Sequence, residues 1–114
     1  MKFVRGDSLS FKFLISLKEG EEIQIEDIEE LYVTCRQYPN SKAPILFQKE
    51  LKDVKIENGY CHVVFEPKDT ENLEYGLYYF DTEITLKNGY RKTRLYTFTL
   101  TEETTIHGGE AIGK

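Results

Sequence analysis

The sequence predicts an all-β protein, an antiparallel β-sandwich of about seven strands, and three observations support that prediction. The composition includes 8 Tyr and 7 Phe but no Trp, and aromatic residues are enriched in strands. Apolar and polar residues also alternate in nearly every segment, which is the period of a half-buried strand. Turn signals separate these segments at roughly the 8–12-residue spacing of a sandwich.

Seven segments alternate in this way and are predicted as strands: 10–17, 31–36, 45–51, 54–56, 60–66, 77–86 and 90–100. Asn58-Gly59 and Asn88-Gly89 each predict a two-residue hairpin. Residues 18–22 are predicted to form a turn. The pattern in 45–51 does not decide which of its faces is buried.

A single helical turn is predicted near residues 68–74. Pro67 is followed by Asp69-Thr70 and then by Leu73, so we expect Asp69 or Thr70 to be the N-cap. Gly76 ends this crossover, where we expect it to permit a close approach of the chain. The alternation that follows places Tyr78 and Phe80 in the core.

The chain of 114 residues is long enough for one domain and too short for two. Folding should bury about two-thirds of the extended chain's surface, which is enough for a core without a metal or disulfide. Residues 106–114 contain three glycines and no period, so we expect a flexible tail. The predicted organisation is therefore one domain at 1–105 and a tail at 106–114.

Charge, hydropathy and cysteine content limit the binding partners and the cellular location that we expect for this protein. The 15 basic residues against 20 acidic ones give a net charge of −5, which argues against nucleic acid as a partner. No apolar run could span a bilayer, and the N-terminus lacks the apolar core of a signal peptide, so we expect no membrane partner and a cytoplasmic location. Cys35 and Cys61 are predicted to be buried, reduced thiols. A bridge between them stays open.

The sequence shows no set of catalytic residues. The two histidines are His62, on the outward phase of its strand, and His107, in the predicted tail, and neither is placed to act as a base. No glycine-rich phosphate loop is present. The acidic stretch 19–30 lacks the Asp-x-Asp-x-Asp-Gly spacing of a calcium loop and is interpreted as a solvated connection. We therefore expect a protein that is not an enzyme and holds no cofactor or metal.

Basic residues and tyrosines suggest an interface instead. No acidic residue occurs between Glu83 and Glu102, whereas 19–30 is strongly acidic, so opposite poles could steer contact between copies. The alternative is that the basic residues protect an exposed edge strand. Outward tyrosines, including Tyr32, could stack on sugars or pack in a protein interface. The candidate interface residues are Tyr79, Tyr90, Lys87, Arg91, Lys92 and Arg94.

The segment 65–81 carries a family resemblance. Its Asp69-Thr70, Leu73, Gly76 and Tyr78 resemble a pattern in small β-sandwich proteins of phages and prophages of Gram-positive bacteria, including the N-terminal domain of phage baseplate upper proteins. The opening at 5–11, the hairpin at Asn88-Gly89 and the closing strand at 98–100 also fit it, so the resemblance spans about 5–105. Phe80 and Thr82 depart from the usual Tyr and Ile.

The resemblance implies an immunoglobulin-like fold and a non-enzymatic phage or prophage structural protein, associated with a tail or baseplate. It implies other tail or baseplate proteins, or further copies of the chain, as partners. It also implies a location in the bacterial cytoplasm during assembly and then in the virion. The alternative function is a small carbohydrate-binding module that recognises cell-surface glycans through exposed tyrosines.

Overall fold

The computed structural model describes residues 1–15 and 23–102, which form two β-sheets packed face to face. Short 3-10 turns occupy Ile25–Asp27 and Leu51–Asp53, and a four-residue helix, α1, spans Pro67–Thr70. The strands are β1 Lys2–Val4, β2 Leu9–Leu14, β3 Ile28–Arg36, β4 Ile45–Glu50, β5 Lys55–Glu57, β6 Tyr60–Phe65, β7 Gly76–Leu86 and β8 Arg91–Thr101.

The strand order is that of an immunoglobulin-like sandwich. One sheet has the order β1-β8-β7-β3-β4 and the other the order β2-β6-β5. Strand β1 runs parallel to β8, and the other described pairs are antiparallel. The predicted fold class is confirmed, and each of the seven predicted strands has a counterpart. The prediction missed β1, which is too short to show a period of two.

Aromatic rings from both sheets form the centre of the core. Phe11 and Phe65 come from the three-stranded sheet, and Phe80 and Phe98 come from the five-stranded sheet. Ring centroids within this group of four lie 4.8–6.1 Å apart in every pair. Such tilted contacts suit aromatic quadrupoles and bury large apolar areas, so this cluster joins the two sheets.

Cys35 and Cys61 are both buried and unpaired. Burial raises the pKa of each thiol to about 12, and the nearby Asp69 carboxylate contributes at Cys35. Phe65 contacts Phe47 and Phe80, the two cross-strand neighbours of Cys35. Cys61 lies four residues before Phe65 on β6, about 13 Å along the strand. A disulfide needs Cα atoms within roughly 7 Å of each other, so we infer that the two thiols do not pair.

The link before β7 is fixed by two hydrogen-bonded side chains. The Tyr78 hydroxyl donates to the Glu74 carbonyl at 2.7 Å, an arrangement that matches the tyrosine corner of immunoglobulin-like domains. Arg5 donates to the Leu73 carbonyl at 3.1 Å and stacks on the Tyr75 ring at 4.2 Å. These contacts tie the N-terminal segment to the start of β7.

Helix α1 begins earlier than predicted, because Pro67 occupies its first turn and Glu66 is the N-cap. The prediction of Asp69 or Thr70 as N-cap is wrong. Asp69 instead accepts a hydrogen bond from the Glu66 backbone N–H at 2.7 Å. The same carboxylate pairs with Lys49 of β4 at 2.7 Å, and both side chains are largely buried. This inward lysine explains why the pattern of 45–51 did not reveal a buried face.

Gly76 has φ +137°, and a Cβ added there would meet no atom within 4 Å. Its role is therefore conformational, and the expected close approach of the chain is not found. The Asn58-Gly59 hairpin is confirmed, with φ values of 53° and 77°, as a turn with two positive φ angles requires.

Some sequence-based predictions lie outside the described residues. These are the turn at 18–22, the acidic residues Glu19, Glu21 and Glu22, His107, and the tail at 106–114. Of the acidic stretch, Glu26, Asp27, Glu29 and Glu30 are described, and all four are exposed. In the described part of the chain, no helix is long and apolar enough to cross a membrane.

Candidate functional site

The five-stranded sheet has an outer face that points away from the core. Strand alternation places Tyr79, Asp81 and Glu83 of β7 on this face, because their neighbours Tyr78, Phe80 and Thr82 are buried. The cross-strand register aligns Arg36 with Tyr79 and Thr34 with Asp81. The outer face therefore gathers polar and aromatic side chains from strands that are distant in sequence.

A groove crosses this face beneath the β3–β4 connection, residues 37–44. The Arg36 Nε donates to the Ala43 carbonyl at 3.1 Å, which holds the connection against the sheet. Two adjoining concavities, of about 110 and 260 Å³, share their central residues. We call them together the outer groove; the shared residues are Thr34, Arg36, Ser41 and Asp81.

The two ends of the outer groove differ in chemistry. Tyr38, Tyr79 and Leu95 line one end, so it is mainly aromatic and apolar. The other end is polar and is lined by Tyr32, Gln48, Glu83 and Thr93. There the Gln48 amide donates to the Thr34 hydroxyl at 2.9 Å. A ligand lying along the groove would contact an apolar surface at one end and hydrogen-bonding groups at the other.

An ion pair occupies the middle of the outer groove. The Arg36 Nη1 lies 3.2 Å from the Asp81 Oδ2, and the two side chains are 18% and 27% exposed. Burial raises the pKa of Asp81, Arg36 opposes that rise, and the Glu83 carboxylate adds to it. The ionised carboxylate is therefore held at an energetic cost, as is common where a group serves binding. The pair offers donors and an acceptor side by side.

Exposed apolar side chains lie in and beside the aromatic end of the groove. Tyr38 and Leu95 line it, Leu77 shares the outward phase of β7 with Tyr79, and Ile45 is the cross-strand partner of Arg36. We call these residues the apolar rim: Tyr38, 58% exposed, Leu95, 55%, Ile45, 51%, and Leu77, 49%. Single exposed apolar residues are normal on protein surfaces, whereas several on one face are typical of interaction surfaces.

The structure distributes the six candidate interface residues among three places. Tyr79 lies in the outer groove, and Arg91 lies on the outer face, 3.9 Å from Glu83. Lys87 and Tyr90 lie exposed in the β7–β8 hairpin. Lys92 and Arg94 lie on the inward phase of β8, beside Phe13 and Ile15 at the side of the sandwich. Sequence clustering thus grouped residues that the strand alternation separates.

Sequence reasoning missed Arg36 and Tyr38 as site residues. Arg36 stood on the predicted outward phase of β3, but its partner Asp81 is 45 residues away, and only the register of β3 with β7 brings them together. Tyr38 lay in a predicted break between strands, where alternation gives no direction. The signal in the sequence that could have indicated Tyr38 is its position directly before the turn residues Pro39-Asn40.

The remaining chemical candidates lie apart from the groove. His62 is half-buried on β6, with Lys12 and Lys55 as its cross-strand neighbours. Among residues 1–15 and 23–102, no three His, Cys, Asp or Glu side chains are grouped so that they could hold a metal ion.

Comparisons with known proteins bear on the fold. No family model matches the chain, and no curated protein matches it. Among solved structures, the chain is similar to CopC from Methylosinus trichosporium OB3b, with a TM-score of 0.51 and 11% sequence identity. The match covers 93% of this chain and 87% of that one. At this identity the likeness shows a shared β-sandwich fold and nothing about activity.

Proposed function

We propose that the chain is a non-enzymatic phage or prophage structural protein, associated with a tail or baseplate, that acts through protein–protein contacts. The outer groove and the apolar rim are its contact surface. The phage setting rests on the resemblance of residues 5–105. The contact role rests on one observation, the gathering of Tyr38, Ile45, Leu77 and Leu95 on the outer face around the Arg36–Asp81 pair.

The chemistry of this surface suits a protein partner. Tyrosine and arginine are the residue types enriched where interface energy concentrates. Arg36 is already held by its hydrogen bond to the Ala43 carbonyl and its pair with Asp81, so little of its side-chain entropy is lost when a partner binds. Burying Leu95 and Leu77 would contribute roughly 25 cal/mol per Å² of apolar surface removed from water.

The first test is mass spectrometry of particles purified after prophage induction in the source organism. We expect tryptic peptides covering Asp69–Lys87 at a constant ratio to tail proteins. Particles that lack these peptides, while the lysate contains them, would contradict the structural role.

A matched pair of variants then tests the contact surface. Leu95 and Val64 are both exposed strand residues, 55% and 44%, but they lie on different sheets. We expect Leu95→Asp to abolish co-sedimentation with particles by placing a charge in the apolar rim, whereas Val64→Asp is retained. Equal retention of both variants would exclude the outer face as the contact surface.

A second candidate function is carbohydrate binding, and one arrangement favours it. Tyr38 and Tyr79 line the same concavity as Arg36 and Asp81, so an aromatic face and hydrogen-bonding groups could meet one sugar ring. On a glycan array we expect Tyr79→Ala to abolish binding and Tyr90→Ala to preserve it, because Tyr90 lies in the hairpin outside the groove. Absence of any bound glycan would remove this candidate.

A further inference from the structure

Strand β2 forms an edge of the three-stranded sheet. One hydrogen bond shows which of its backbone N–H and C=O groups point toward β6 and which point away. The Ile15 N–H donates to the Gly59 carbonyl at 2.7 Å, so the amide of Ile15 points toward β6. Successive residues of a strand point their backbone groups to opposite sides. The N–H and C=O groups of Ser10, Lys12 and Leu14 therefore point away from β6, to an edge that no described strand occupies.

The other long edge strand in the described structure, β4, carries features that hinder strand addition, and β2 lacks them. Beside β4, the pairing with β3 shifts register at Cys35, and Lys49 of β4 points inward to Asp69. Inward charges and bulges are known protections of sheet edges. Strand β2 pairs with β6 in unbroken register and contains no proline. Its one lysine, Lys12, lies over the Tyr60 ring at 4.5 Å, toward the sheet and away from the edge.

The side of the sandwich next to this edge has an apolar part and a basic part. Phe3 contacts Phe11 at 5.3 Å, and Tyr96 contacts Phe13 at 5.7 Å. Phe3 and Tyr96 are only partly buried, so this apolar surface is accessible at the side. Farther along, Lys92 and Arg94 of β8 lie beside Phe13, Leu14 and Ile15.

We propose that the open edge of β2 binds an extended, acidic segment of a partner protein as a fourth strand of this sheet. The backbone of the segment pairs with Ser10, Lys12 and Leu14, as in recognition by strand addition. Its inward side chains alternate with outward ones, so some pack on Phe3 and Tyr96. Acidic inward side chains lie near Lys92, and this charge complementarity selects the partner and its register. The site uses the sheet opposite the outer groove and is independent of the proposed contact surface there.

The probe is a displayed library of random peptides about 12 residues long, roughly twice the length of a typical strand. We expect enrichment of sequences in which every second residue, the one that faces inward, is apolar in one half of the peptide and acidic in the other. Synthetic copies of the enriched peptides should lose roughly tenfold in affinity for Lys12→Pro. Proline at this position removes an outward N–H but leaves the β2–β6 hydrogen bonds intact. Lys12→Thr is the matched control, since it removes the charge and keeps the N–H, and it should bind like the wild type.

Two further measurements keep the test decisive if Lys12→Pro folds poorly. Ser10→Pro removes a second outward N–H, and hydrogen exchange of the wild-type protein reads the amides directly. Peptide addition should slow exchange at Ser10, Lys12 and Leu14. Lys92→Glu should weaken acidic peptides and favour basic ones. The proposal is overturned if no peptide with this pattern of inward residues is enriched, if binding leaves these amides unprotected, or if binding is lost in Leu95→Asp and retained in Lys12→Pro.

Discussion

The two faces of β7 differ in burial and in what their side chains contact. On the inward face, Tyr78 and Phe80 are 3% and 1% exposed and contact other rings. On the outward face, Tyr79 and Asp81 are partly exposed and line a groove. Both sets share one backbone, so their difference comes from side-chain direction alone. One face therefore packs the core, while the other holds the groove to which the proposed contact role is assigned.

The largest effect on stability should come from a substitution at Phe65. This residue belongs to β6 of the opposite sheet and packs directly against the inward face of β7. Phe65 is fully buried and lies 4.8 Å from Phe11 and from Phe47, and 5.3 Å from Phe80. Phe65→Ala should lower the free energy of unfolding by about 3–5 kcal/mol, because a cavity replaces the ring at the junction of the sheets. Urea denaturation measures this value.

The matched control for that change lies on the outward face. Leu95→Ala removes a residue that is 55% exposed, so we expect a change within about 0.5 kcal/mol. If Leu95→Ala costs as much stability as Phe65→Ala, the division of labour between the two faces is wrong.

The buried thiols give a smaller effect that depends on pH. The pKa of Cys35 in the folded protein is about 12, against 9.0 for a free thiol. Below pH 9 both states keep the proton, and stability is complete. As the pH rises from 9 toward 12, the unfolded state loses the proton first, so stability falls. Between about pH 8 and pH 10.5, Cys35 should contribute a loss of about 2 kcal/mol.

Urea denaturation at both pH values, in the wild type and in Cys35→Ala, isolates this contribution. Cys35→Ala should be less stable at pH 8 because it leaves a small cavity, but it should lose less stability on going to the higher pH. Tyr78, whose pKa burial also raises, is present in both proteins and cancels in the difference. An identical alkaline loss in both proteins would mean that Cys35 ionises in the folded state.

Alternation along single strands accounts for what the sequence could predict. It placed Cys35, Phe65 and Phe80 in the core and Asp81 on the outside, because burial follows a period of two wherever one face is covered. It left the buried face of 45–51 undecided, since the inward Lys49 is stabilised by Asp69 from another element. It could not find the Arg36–Asp81 pair for the same reason. Contacts between distant strands depend on register, which no single strand specifies.

The smallest change in stability should come from Asp81, on the outward face. Burial raises the pKa of this carboxyl above its ordinary value of 3.8, so ionisation costs stability at neutral pH and the cost disappears as the pH falls through the folded pKa. Asp81→Asn removes the cost along with the partly exposed pair to Arg36, which still donates to Ala43.

These opposing changes should leave the free energy of unfolding at about pH 7 within roughly 0.5 kcal/mol of the wild type. Urea denaturation at about pH 7 and about pH 4.5 measures it, and the wild type should gain stability relative to Asp81→Asn at the lower pH. Co-sedimentation with particles should weaken in the same variant, because the groove loses its charged acceptor. A large loss of stability would instead assign Asp81 to the structure of the sheet. We therefore expect Asp81, on the outward face of β7, to be a residue that binding requires and stability does not.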